Sequence, residues 1–287
     1  MPIRLLVFDF DGTLTDIGAE GAAFERAYAD RLLQLVGRDR SAEWEAACAA
    51  VRDAAPELAW DMGTGPAAPA DADPYVVATM ALRRFGAGVE VLRDPRVLDA
   101  LGGALYAQSY ATVEPAFRPD AAAVLRAAQE RVEHVRIVTN ASTGKATKKL
   151  QKLGLPRPLG VVGDAGKFVV GEPTLDGYGI GGVAEAWHLP GLDRAVRPRR
   201  GRYFDALAHV WRDTGTRPAE TLVVGDIWEL DLALPSLLGA HVHLLERART
   251  HAYERAGIAA VGARGACGTT LTGVLDRLGQ SSPRATG

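Results

Sequence analysis

The feature that most limits how this chain can fold is a repeated one: a short apolar run that stops at an aspartate, a threonine or a Gly-Asp pair. Ile3 to Phe8 ends at Asp9-Phe10-Asp11-Gly12-Thr13, Val135-Arg136-Ile137-Val138 at Thr139-Asn140, and Thr221-Leu222-Val223-Val224 at Gly225-Asp226. Leu159 to Gly163 and Val242 to Leu245 extend the series. Runs without polar alternation mark strands buried on both faces, as in parallel sheets. Segments of helical spacing such as Asp120 to Arg131 and Tyr203 to Arg212 lie between them, so the pattern predicts βαβ units and a doubly wound α/β fold. In such sheets functional side chains gather at the carboxyl ends of strands, which is where these aspartates and threonines fall.

Residues 16–116 break the rhythm. They are rich in Ala, Leu and Arg, with helical spacing in Phe24 to Leu35, Ala42 to Ala54, Val76 to Phe85 and Pro95 to Tyr110, and read as an inserted helical domain. The 287 residues suit about two domains. Met62 to Pro74, with its glycines and prolines, reads as a long loop, and Phe168 to Gly201 as a second irregular stretch. Gly177-Tyr178-Gly179-Ile180-Gly181-Gly182 superficially matches a dinucleotide loop, but it neither follows a clear strand nor opens a helix. The tail from Gln280 is expected to fray.

The charge balance excludes some partners. A net charge of -2 with no long like-charge run gives no support to a nucleic-acid or anionic-membrane surface, and favours a small-molecule partner. The opening apolar run is too short for a secretory or membrane-spanning segment, which predicts a cytoplasmic protein. Cys48 and Cys267 belong to no metal-binding spacing and are expected to be reduced.

Asp9 and Asp11 flank Phe10 at a strand end, with Gly12 permitting a sharp turn. Two carboxylates this close can divide labour as nucleophile and proton carrier, or together hold a hard cation; alone, they could be an Asp-Gly turn with an incidental acid. Thr139 and Asn140, before Ala141-Ser142-Thr143-Gly144, offer a hydroxyl and backbone donors for a phosphate, or an ordinary helix cap. Asp226 and Asp231 could complete an Mg2+ site, with ordinary capping by Asp226 as the rival reading.

Taken together, the sequence resembles the haloacid dehalogenase superfamily, whose members mostly transfer phosphoryl groups. Phe8-Asp9-Phe10-Asp11-Gly12-Thr13-Leu14 matches its first motif, Ile137-Val138-Thr139-Asn140 its second, and Val223-Val224-Gly225-Asp226 through Asp231 its fourth. The resemblance implies a Rossmann-like core over 1–15 and 117–287 with a helical cap over 16–116. It implies Asp9 as nucleophile, forming an aspartyl-phosphate, and Asp11 as the acid that protonates the leaving group and then activates water. Thr139, with Asn140, would bind the phosphoryl oxygens. Asp9, the Asp11 carbonyl and Asp226 would hold Mg2+, supported by Asp231. The implied activity is an Mg2+-dependent phosphohydrolase acting on a small phosphorylated metabolite. A sugar-phosphate mutase, or a noncatalytic binding protein retaining the fold, is the alternative.

The third motif departs from the family, which usually places a lysine shortly before a helix. Lys167 follows the third core strand, but Phe168 to Gly201 intervenes and Arg197-Pro198-Arg199-Arg200 stands at the helix start. Lys167 is expected to be the phosphate-binding cation, with Arg197, Arg199 and Arg200 as rivals. Lys145 to Lys152 reads as a set of solvated positions. Dehalogenation would need neither Asp11 nor a full metal site. Schiff-base chemistry in the cap would need a lysine, and none occurs before Lys145. His241, His243 and the tryptophans are expected to be packing residues, and Arg83-Arg84 a solvated face.

Overall fold

A computed structural model describes residues 1–279; the tail from Gln280 lies outside the described residues. The strands β1 (Leu5–Phe8), β4 (His134–Val138), β5 (Gly160–Val162), β6 (Thr221–Gly225), β7 (His241–Leu245) and β8 (Gly265–Gly268) form one sheet in the order β5-β4-β1-β6-β7-β8. Every pairing in it is parallel. This is a Rossmann-like α/β fold. Phe8 is level with both Ile137 and Val224, so β1, β4 and β6 end together. The chain winds outward from β1 in both directions, which leaves a crevice at the carboxyl ends of those three strands.

Two apolar layers hold the sheet. On one face Leu5, Val7, Val138, Val223 and Val242 pack with the helix α7 (Gly201–Thr214) through Phe204, Leu207 and Trp211. On the other, Leu6, Phe8, Ile137 and Leu222 meet α5 (Ala121–Arg131) and α10 (Thr272–Gly279) through Leu125 and Val274. Because successive strand residues alternate sides, strands covered on both faces must be apolar throughout. β8, built of Gly-Ala-Cys-Gly, carried no such signal.

The chain divides into two compact units, one of Met1–Thr15, Asp61–Ala67 and Phe117 onward, the other of Asp16–Trp60 and Ala68–Ala116. The second unit consists largely of α1 (Ile17–Val36), α2 (Ser41–Asp53), α3 (Pro74–Gly86) and α4 (Pro95–Tyr110). Asp16 caps α1 by accepting from the Gly18 and Ala19 amides, and Asp73 and Asp94 cap helices that begin with proline, whose missing N–H costs nothing there. Its core is aromatic: Phe24, Tyr28, Trp44, Tyr75 and Phe85, with Tyr28 stacked on Trp44 at 5.8 Å.

The loop expected over Met62 to Pro74 contains structure. β2 (Ala59–Asp61) and β3 (Pro66–Pro69) form a two-stranded sheet. Runs this short, separated by a turn containing Gly63 and Gly65, have no period long enough to be read. Residues 61–67 group with the sheet unit, where Thr64 Oγ1 accepts from the Val170 amide at 3.2 Å and the Ala67 carbonyl accepts from Arg200 Nη2 at 2.6 Å. The second irregular stretch stays irregular, with one short 3-10 turn at Ile180–Gly182. It leaves and returns at one point: Gly171 donates to the Arg199 carbonyl, and Gly201 donates to the Gly171 carbonyl. Among the described residues no helix is long and apolar enough to cross a membrane.

Candidate active site

Asp9 is the first residue beyond β1 and is tied to the sheet through its amide, which donates to the Val224 carbonyl at 2.8 Å. Gly12 turns the chain immediately afterwards with φ of 88°, and a Cβ there would lie 2.5 Å from Asp226 Oδ2. Only glycine lets the first loop approach the carboxylate at the end of β6 so closely. Across the gap, Thr13 Oγ1 donates to Asp226 Oδ1 at 3.3 Å. Gly225 has the same necessity, since a Cβ would meet Asp231 Cβ at 2.3 Å.

Carboxylate oxygens of Asp9, Asp226 and Asp231 lie within 4.8 Å of one another, all buried. Lys167 Nζ reaches into this group, donating to Asp9 Oδ1 at 2.6 Å and to Asp231 Oδ1 at 2.8 Å, with a side chain only 1% exposed. Asp231 turns its other oxygen to the Ile227 amide, accepting at 3.0 Å. The π-helical turn Trp228–Leu232 carries it there.

The charges do not balance within this group. Burial pushes the Asp9 carboxyl up, to about 7, and outweighs the pull of Lys167, because Asp231 and Asp11 add negative charge nearby. Burial raises Asp226 well above the ordinary carboxylate range as well, against the attraction of Arg247. Burial would lower the Lys167 ammonium, but Asp231 and Asp9 overcome this and hold it raised. One ammonium among three buried carboxylates leaves an excess of negative charge, and hard oxygen donors in excess suit a divalent cation.

The second-motif residues line the same crevice. Thr139 is buried, and its Oγ1 accepts from the Ala141 amide at 3.1 Å, an interaction that orients the hydroxyl at the start of the loop to α6 (Thr143–Gln151). Asn140 Oδ1 accepts from the Lys167 amide at 2.8 Å, so this side chain fixes the lysine's backbone. Asp11 is near enough to add its charge at Asp9 but is not one of the three converging carboxylates. Its side chain is 37% exposed and Oδ1 accepts from Lys149 Nζ at 3.3 Å.

Of the three rival arginines, none is placed as Lys167 is. Arg200 is fully buried but sits behind the lysine, donating through Nη1 to the Lys167 carbonyl at 2.8 Å and through Nη2 to the Ala67 carbonyl. Arg199 pairs with Glu172 at 3.1 Å. The expectation that Lys145 to Lys152 is solvated fails at Lys149, whose side chain is 16% exposed and whose ammonium lies 5.6 Å from the Phe10 ring centroid as well as beside Asp11. Helical spacing cannot show that one lysine of α6 turns toward a loop far away in sequence.

Sequence reasoning also passed over a supporting ring. Arg247 follows β7, with Nη1 4.0 Å from Asp226 Oδ2 and Nη2 bonded to both oxygens of buried Glu254. Arg194, within the irregular stretch, makes a two-pronged pair with buried Glu229, which also accepts from Tyr253 Oη at 2.8 Å. Arg118 donates to the Gly12 carbonyl through Nη2 at 3.0 Å. The readable signal for Arg247 was its place at a strand's carboxyl end; the others had none.

A doubly wound core that assembles carboxylates and a buried ammonium at its switch point is the architecture of a class of α/β enzymes. Which one follows from comparison: the family model of haloacid dehalogenase-like hydrolases matches residues 3–234, and the chain belongs to that family. Among solved structures it is similar to YfnB of Bacillus subtilis, a candidate HAD-hydrolase bound to magnesium, with a TM-score of 0.55, 13% identity and coverage of 97% of this chain and 100% of that one. It is also similar to a predicted phosphoglycolate phosphatase from Haemophilus somnus 129pt (TM-score 0.54, 16% identity, 96% and 97% covered). The L-2-haloacid dehalogenase RSc1362 aligns at a TM-score of 0.49 with 18% identity, over 97% and 100% of the two chains. No curated protein matches the sequence significantly.

Proposed function

We propose that this hydrolase is an Mg2+-dependent phosphohydrolase of small phosphorylated metabolites, working through an aspartyl-phosphate, with residues 16–116 as its cap. The observation that carries the reading is the separate placement of the carboxylates: Asp9, Asp226 and Asp231 converge within 4.8 Å, while Asp11 lies outside that group with an accessible side chain. A dehalogenase of 2-haloacids needs the nucleophile but neither the second acid nor a full metal site.

Asp9, Asp226 and the Asp11 carbonyl would hold Mg2+, with Asp231 behind them, and the all-oxygen donor set fits it. When bound, the cation supplies neutralisation of negative charge on the phosphoryl group. The protein's own groups do the rest. An Asp9 carboxylate oxygen attacks phosphorus in line as the bond to the ester oxygen breaks, and the Asp11 carboxyl gives that oxygen its proton. Lys167 and Thr139 hold the phosphoryl oxygens, replacing hydration with fixed donors. Asp11, now a carboxylate, takes a proton from the water that attacks phosphorus, and the bond to Asp9 breaks, releasing phosphate.

The test is phosphate release from p-nitrophenyl phosphate and a panel of phosphorylated metabolites, with Mg2+ and after chelation, run beside chloride release from 2-chloroacids. Mg2+-dependent phosphate release without chloride release is expected. The reverse pattern refutes the reading.

A further inference from the structure

We propose that Arg118 is a positioning residue for the cation site: by holding the Gly12 carbonyl it fixes the pose of Asp226. The inference rests on the Mg2+-dependent phosphohydrolase reading. Arg118 donates to that carbonyl twice, from Nη2 at 3.0 Å and from Nε at 3.3 Å. Its own amide donates to the Leu14 carbonyl at 3.0 Å, so one residue grips the first-motif turn at two points. Its neighbour Phe117 adds a third, with its ring edge-on to that of Phe10 at 6.1 Å. A guanidinium is a fork that matches carboxylates. Among the described residues, this one hydrogen-bonds to no carboxylate and is committed to a backbone carbonyl instead.

The turn does not supply that grip itself. The Phe10 carbonyl accepts from the Leu14 and Thr15 amides, and Thr15 Oγ1 accepts from the Gly12 amide at 3.0 Å. These bonds close the turn but leave the Gly12 carbonyl to Arg118. Because a peptide unit is planar, holding that carbonyl also sets the direction in which Thr13 leaves Gly12. Thr13 Oγ1 donates to Asp226 Oδ1 at 3.3 Å, and Gly12 packs so closely on Asp226 that a Cβ would lie 2.5 Å from Oδ2. Both oxygens of Asp226 are thus bounded by residues that Arg118 holds, although Arg118 itself touches none of the converging carboxylates. A turn released from Arg118 would leave Asp226 to be ordered when the cation binds, and ordering a ligand at that moment lowers affinity.

The experiment uses the full chain and its Arg118→Met, Arg118→Lys, Thr13→Val and Arg118→Met/Thr13→Val variants, with circular dichroism and melting curves to establish folding. Mg2+ binding is measured directly by titration calorimetry, and phosphate release from p-nitrophenyl phosphate over a range of Mg2+ concentrations. Arg118→Met should weaken Mg2+ binding by at least about fivefold, less than the roughly tenfold or more of a charged hydrogen bond removed from the site itself. KM for the ester at saturating Mg2+ should stay within about twofold, since no contact to the ester is lost. Arg118→Lys, which keeps the charge but not the fork, should recover part of the Mg2+ affinity and fall short of the wild type. The double variant should bind Mg2+ no more weakly than the worse single one, because both changes reach Asp226 by one route. Wild-type Mg2+ affinity in Arg118→Met, or losses that simply add in the double variant, overturn the proposal while the phosphohydrolase reading stands. Where Arg118→Met does not fold, Arg118→Lys decides, and affinity equal to the wild type overturns the proposal. A wild-type chain that neither binds Mg2+ nor releases phosphate refutes the underlying reading as well.

Discussion

Replacing Lys167 with alanine tests the assignment on which the third motif turns. The ammonium donates to Asp9 at 2.6 Å and to Asp231 at 2.8 Å from a fully enclosed position. A hydrogen bond to a charged group contributes about 1.5–3 kcal/mol, and loss of the contact to the transferring phosphoryl group alone should lower kcat/KM by at least about a hundredfold, or roughly 2.7 kcal/mol. Stability should fall too. Removing one partner of a buried ion pair costs about 3–5 kcal/mol, because the remaining charges are left uncompensated. Kinetics on p-nitrophenyl phosphate at saturating Mg2+ measures the first effect and urea unfolding the second. Alanine variants of Arg197, Arg199 and Arg200 serve as the comparison, and each should lose less activity than Lys167→Ala. Arg200→Ala is the sharpest control, since its guanidinium touches the Lys167 carbonyl and not the carboxylates. Near-normal kinetics in Lys167→Ala with collapse in one arginine variant would refute the reasoning and move the role to that arginine.

Three further outcomes are expected. Asp9→Asn should abolish turnover with the fold intact by circular dichroism, since it removes the proposed nucleophile at constant volume; more than about a tenth of wild-type activity would contradict that role. Asp11→Asn should lose more activity on esters with poor leaving groups than on p-nitrophenyl phosphate, and equal losses would argue that it is not the proton donor. His243 is a stability prediction. It is buried, neither ring nitrogen has a hydrogen-bond partner among the described residues, and burial lowers it to about 4 from 6.5. The folded state refuses a proton that the unfolded chain accepts, so stability present above pH 6.5 is lost as pH falls toward 4, by up to roughly 3 kcal/mol. His243→Leu should flatten the dependence of urea unfolding over that window, and an unchanged slope would sink the assignment.

Legibility in the sequence followed the range of the interactions. The strands around the crevice could be read because a strand covered on both faces must be apolar, and Asp9, Thr139 and Asp226 because strand ends are where the fold exposes polar groups. The roles of Lys149, Arg194 and Arg200 could not be read, because each is decided by a partner brought near only by the fold: Asp11, Glu229, and the carbonyls of Lys167 and Ala67. β2 and β3 were missed for the opposite reason, being too short and too rich in alanine and proline to show any period.

The irregular stretch between Lys167 and α7 returns the chain to the point at which it left. Its neck is closed by backbone bonds joining Gly171 to Arg199 and Gly201, and a Cβ on Gly201 would lie 2.0 Å from the Glu172 carbonyl oxygen, so the closure requires that glycine. Arg200 stands at the neck, and burial lowers its guanidinium to about 10, a cost not offset by any hydrogen-bonded carboxylate. What the arginine does in return is to hold the Lys167 carbonyl and the Ala67 carbonyl in one place. Meanwhile the stretch buries Ile180, Val183, Leu189, Leu192 and Val196 against the sheet, and ties Arg194 to Glu229 beside the turn that carries Asp231. Both ends of the Lys167–Asp231 contact are thus braced by residues of the inserted stretch or its neck.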